Sequence, residues 1–126
     1  MVQTKRKPRF VFGILPVFYT KSPDNWGHQK GPVVQLPKKY GVALVQHELF
    51  HVKQWYLTLG LMGLLMRLRY FRFRFEAAAY GESLRSAPSS ADHYAAALAS
   101  KHYDLGKSKA ECLALILKRK KDGRLF

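Results

Sequence analysis

Between Gly41 and Leu59 the chain carries two stripes of side chains that an α-helix separates onto different faces. Val42, Val45, Leu49, Val52, Tyr56 and Leu59 recur at alternating spacings of three and four, which marks one helical face. His47, His51, Gln54 and Thr58 make a second stripe, and at about 100° per residue the two lie on roughly opposite sides. A helix of this kind buries its first face in a core and turns its histidines towards a cleft. Histidines that merely filled the core would stand among the valines and leucines, not opposite them. Gly60 and Gly63 end or bend the helix.

The two histidines of the second stripe belong to His47-Glu48-Leu49-Phe50-His51, the spacing of a helix-borne zinc site. Residues four apart stand one turn above each other, so both imidazoles reach one cation. Glu48 lies to one side, where its carboxylate suits a base acting on water rather than a further ligand. Catalytic zinc takes three protein ligands and keeps one position open, so a third ligand must come from elsewhere. The chain has eight Asp and Glu residues, and Glu76 is the strongest candidate among them. It lies 25 positions beyond His51, far enough for a helix to finish and a second to return beside it, and it is expected to begin that second helix. His28, in a turn-rich loop, and His93 and His102, on a polar-faced helix, are its rivals. Gln54, one turn past His51, either hydrogen-bonds near the metal or is a solvated helix residue.

The rest of the chain reads as short strands before this helix and further helices after it. Arg9 to Tyr19 is rich in Phe, Val and Ile and reads as a strand with Pro16 at an edge or bend. Ser22 to Gly31 is turn chemistry, and Val33 to Leu36 is a short β-prone run ended by Pro37. Arg67 to Arg74 reads as a basic, aromatic connector. A second helix is expected from about Phe75 to Pro88, with Glu76, Tyr80 and Leu84 on one face. A third runs from about Ala91 to Tyr103, capped by Ser90 or Ser89. The last spans about Lys109 to Lys120, with Ser108 and Glu111 as a capping box and Gly123 past its end.

With 126 residues the chain is expected to form a single α+β domain over 1–126, with basic tails at 1–9 and 118–126. A net charge of +14 implies attraction to anionic partners, including non-specific binding of nucleic acid by the basic clusters. The single cysteine, Cys112, excludes an internal disulfide and reads as a buried thiol. The apolar run Trp55 to Met66 is too short to span a bilayer and reads as packing beneath the site. Val11 to Tyr19 faintly imitates a signal peptide, but Pro16 interrupts it and no small-residue cleavage site follows.

His47-Glu48-Leu49-Phe50-His51-Val52-Lys53-Gln54-Trp55, an apolar Gly-containing stretch, Tyr70 and Phe75-Glu76-Ala77-Ala78-Ala79-Tyr80 together resemble zincin metallopeptidases with a glutamate third ligand. More narrowly, they are similar to short zincin-like proteins of bacteriophage and prophage genomes. The likeness covers about Val33 to Tyr80. It implies zinc held by His47, His51 and Glu76, with Glu48 as general base and acid in the hydrolysis of peptide bonds. It also implies that Val33 to Leu36 is an edge strand that pairs with an extended peptide substrate. Within this reading Tyr80, one turn from Glu76, is the candidate donor to the oxyanion, or else a packed tyrosine with a bonded hydroxyl. The implied partners are a peptide or protein substrate, cell-envelope peptide among them, and phage structural proteins. The implied setting is the bacterial cytoplasm or the virion, and the alternative role is a particle component that keeps the fold without catalysis. Ala77 departs from the pattern, because many such enzymes carry an acidic residue there to support a ligand histidine.

Overall fold

The computed structural model describes residues 7–126. Residues 1–6 of the expected N-terminal tail lie outside the described residues. The architecture is α+β, with small sheets preceding all of the helices. β1 (Phe10–Val11) and β2 (Leu15–Pro16) form an antiparallel hairpin. β3 (Phe18–Lys21), β4 (His28–Lys30) and β5 (Val33–Leu36) form a second sheet in the order β3-β5-β4. The expected strand from Arg9 to Tyr19 is therefore broken, because Phe12 and Gly13 turn the chain at φ 52° and 81°.

Two further strand expectations are corrected. The turn-rich stretch from Ser22 to Gly31 contains β4, and β5 is the central strand rather than the edge. Lys30 pairs with Val33 across a two-residue turn in which Gly31 takes φ 56°, so β4 folds back antiparallel onto β5. On its other side β5 pairs in parallel with β3. The strand with an open edge beside the helices is β4.

α1 (Val42–Leu57) lies across this sheet. Val45, Leu49 and Val52 pack with Val11, Val17, Val34 and Leu36 into one apolar cluster. The helix stops before Leu59, which was expected on its apolar face. Leu59 has φ 54° and is 91 % exposed, and Gly60 follows at φ 86°. α2 (Met62–Leu65) is a single short turn held by buried Met62. The run from Trp55 to Met66 is thus not packing beneath the site, since Leu57, Leu59, Leu61 and Leu64 face solvent.

α3 (Arg69–Leu84) begins well before the expected Phe75. Most of the supposed connector is its first turns, because Arg and aromatic residues are adequate helix formers with no Gly or Pro to interrupt them. Glu76 accordingly sits inside the helix rather than at its start. α3 runs beside α1, and its buried Ala78 and Ala79 pack with Phe50 of α1. Ser83 Oγ donates to Ala43 O at 2.8 Å and ties the end of α3 to the start of α1.

α4 (Ala91–Leu98) ends earlier than expected, and Tyr103 lies in the turns that follow it. Ser90 occupies its N-cap without a side-chain bond. α5 (Lys109–Asp122) starts at the expected capping box, in which Ser108 Oγ accepts from Glu111 N at 3.1 Å and Ser108 N donates to Glu111 Oε1 at 3.0 Å. Gly123 closes the helix in the left-handed conformation. Cys112 and Ile116 join Ala77, Tyr80, Leu84, Ala95 and Leu98 in the second large apolar cluster, so the cysteine is buried as expected.

Residues 118–126 are not a solvated tail. Arg119 is buried, Leu125 packs beside Phe50, Ala78 and Ala79, and the Phe126 ring meets Phe75 edge-on at 5.6 Å. Among the described residues no helix is long and apolar enough to cross a membrane.

The backbones of α3 and α5 come close together at Gly81. A Cβ there would lie 2.8 Å from Lys120 N and 3.0 Å from Ile116 O. Gly81→Ala should therefore destabilise the protein by about 1–3 kcal/mol in chemical denaturation, because backbone cannot step aside. Gly63→Ala, where an added Cβ meets nothing within 4 Å, should leave the midpoint unchanged or raise it slightly.

Candidate metal centre

His47 and His51 stand one turn apart on the side of α1 that faces α3, and both are buried. Gln54 fixes the second of them. Its Nε2 donates to Phe75 O at 2.9 Å and to Leu125 O at 2.6 Å, which forces its Oε1 to act as acceptor. His51 Nδ1 lies 2.7 Å from that oxygen and must carry a proton to make the bond. Nε2 is thereby left as the atom that can ligate. Gln54 is fully buried, so of the two readings open from sequence the supporting one holds and the solvated one does not.

α3 brings Glu76 against both histidines. Its Oε1 is 3.2 Å from His47 Nε2 and 3.0 Å from His51 Nε2. These three donor atoms lie within 4.8 Å of one another and form a group that could hold a metal ion. Burial pushes the Glu76 carboxyl up, but the two histidines outweigh it and hold the group far below the usual carboxylate range. Burial likewise pushes the His51 imidazolium down. The Glu76 carboxylate, with smaller help from Glu48 and Gln54, reverses this and raises it to about 9. The proton that a cation must displace therefore sits on His51 Nε2.

The donor chemistry fits a zinc-class cation. Two imidazole nitrogens and one carboxylate oxygen converge, and the tautomer of one imidazole is already set for ligation. His47 fits less completely, because its Nδ1 is buried without a partner among the described residues. With Nε2 ligating, the proton must move to Nδ1, where nothing accepts it, at a cost of about 1–3 kcal/mol. Ala77, directly after Glu76, is a buried methyl that offers no acceptor.

These residues open onto a cleft of about 460 Å³. All five histidines of the chain line it, so His28, His93 and His102 share the cleft without joining the group at its base. His28 Nε2 instead pairs with Asp24 at 2.9 Å, and the His102 ring stacks on Trp26 at 4.4 Å. Glu48 is 5 % exposed, and burial pushes its carboxyl up against the opposing pull of His47 and His51. Its Oε2 faces Gly27, where an added Cβ would stand 3.0 Å away and 2.9 Å from Leu44 Cδ1. A side chain at 27 would therefore crowd the Glu48 carboxylate and push the end of Leu44 aside.

Tyr80 lines the cleft and packs on the His47 ring at 4.3 Å. Its hydroxyl is 2.7 Å from that of Tyr103, another residue lining the cleft. Only one of the two protons is used between them, so the pair keeps one hydroxyl proton to donate. Burial pushes both phenols well above their ordinary range, which keeps them protonated donors. Tyr103, Gly27 and Trp26 were missed from sequence, and nothing local to them signals the cleft. Their roles come from chain segments that meet only in the fold.

No family model, curated protein or solved structure matches the chain.

Since His51 must release a proton to ligate, zinc affinity should rise with pH up to about 9 and fall below it. Competition with a chromophoric chelator should show a loss of about tenfold per pH unit between pH 8 and 6. A pH-independent affinity would place the ion elsewhere.

Proposed function

We propose that the chain is a zinc-dependent peptidase with a zincin-like site, in which His47, His51 and Glu76 hold the ion and Glu48 handles the proton. The observation that carries this reading is the convergence of His47 Nε2, His51 Nε2 and Glu76 Oε1 at the base of a cleft that also contains Glu48. When bound, the ion would supply a Lewis acid that polarises a carbonyl and acidifies water.

The protein's own groups account for the remaining requirements. A carboxyl raised towards neutrality by burial is suited to take a proton from water and return it to a leaving amine, which is the role assigned to Glu48. The spare hydroxyl proton of the Tyr80–Tyr103 pair is a donor for the oxyanion that develops as the carbonyl is attacked. A peptide substrate is favoured by β4, which borders the cleft and is paired within its sheet on one side only. An extended chain can add to that open edge by main-chain hydrogen bonds.

A second reading is a protein that keeps the site for stability, as in a phage-particle component, and does no hydrolysis. The unpartnered His47 Nδ1 favours it, since catalytic ligand histidines usually have their second nitrogen held.

The two readings separate on one set of variants. Glu48→Gln should retain stoichiometric zinc and lose about 10²- to 10⁴-fold in peptide hydrolysis, whereas His47→Ala should lose both the metal and the activity. Tyr103→Phe should lower kcat with little change in metal content. Zinc-loaded protein that cleaves no peptide, and that chelation merely destabilises, would establish the structural reading.

A further inference from the structure

The segment that joins α1 to α3 displays apolar side chains that neither the core nor the cleft uses. Leu57, Leu59, Leu61, Leu64 and Leu68 are 47 %, 91 %, 58 %, 61 % and 56 % exposed. Buried Met62 fixes the turn beneath them, and its amide donates to Thr58 Oγ1 at 3.0 Å. The backbone holds the most exposed leucine outward at some cost. Leu59 sits at φ 54°, a region a leucine rarely adopts, and Leu59 N to Tyr56 O at 3.0 Å and Gly60 N to Trp55 O at 2.9 Å maintain it.

Charge restricts what can cover this face. From Leu49 to Phe75 the sequence has no Asp or Glu, while Lys53, Arg67, Arg69, Arg72 and Arg74 lie in or beside the segment. Asp104, in the connection between α4 and α5, is paired with Arg69 at 3.2 Å. Arg67 is exposed between the leucines, and exposed Tyr70 adds an amphipathic ring held by Arg74 at 5.4 Å. A second copy of the chain would set this cationic border against itself, on a protein that already carries +14.

We propose that this face docks on an anionic lipid surface, with the leucines of residues 57–68 entering the boundary between headgroups and acyl chains and Arg67 meeting headgroup phosphates. The protein lies on the bilayer and does not cross it, as the lengths of its described helices require. Met66, in the same segment, lines the cleft, so the docked face and the cleft share a border. The proposal is independent of whether the cleft hydrolyses peptides.

Flotation of the whole chain with phosphatidylcholine vesicles, with and without about 30 mol % phosphatidylglycerol, tests it. At physiological salt the chain should rise with the anionic vesicles only. Leu59→Ser/Leu61→Ser/Leu64→Ser should weaken that binding by at least about tenfold. These side chains face solvent, so the variant should keep its far-UV circular dichroism and its zinc content. Phe12→Ser/Ile14→Ser, which removes exposed apolar groups from the β1–β2 hairpin, should bind as the parent does. Parent-like binding by the leucine variant would reduce the effect to bare electrostatics and overturn the proposal. So would a parent that stays with neither vesicle, or one that is a dimer which the leucine substitutions dissociate.

Discussion

One carboxylate oxygen organises the interior of this protein. Glu76 Oε1 lies within hydrogen-bond reach of two imidazoles from a different helix, in a place that solvent scarcely touches. Burying a carboxylate costs several kcal/mol unless opposite charge or hydrogen bonds offset it. The two histidines provide that offset, and they reach Glu76 only because α1 and α3 lie side by side. The buried alanines after Glu76 remove bulk from α3, and Gly81 admits the backbone of α5 against its other side. Packing and electrostatics thus impose the same arrangement.

The sequence disclosed this centre better than its surroundings, and the reason is local. His47, Glu48 and His51 are set by a single helix whose period can be counted, and Glu76 needed only a second helix of ordinary length. The strands were less legible. β4 consists of His28, Gln29 and Lys30, whose polar side chains carry no strand pattern, and it exists because Gly31 turns it onto β5. That one turn moved the open edge from β5 to β4. The start of α3 was hidden by composition, since alternating arginines and aromatics look like a connector and yet propagate a helix readily. Tyr103 was beyond reach, because its hydroxyl finds that of Tyr80 at a sequence separation of 23.

The cleft has two chemically different walls. On one side the loop into β4 brings Gly27 against Glu48, with Asp24 and His28 paired beside it. On the other, Tyr80 and Tyr103 present phenols that burial keeps protonated. A buried carboxyl and a pair of protonated phenols therefore line one cleft.

The amide of Gln54 reaches Leu125, 71 residues away, as well as His51 next door. Contacts of such long sequence separation form after local ones, because a large loop must close first. The orientation of His51 thus depends on the C-terminal segment as well as on its own helix. A residue near the end of the chain takes part in setting which nitrogen of that imidazole faces Glu76.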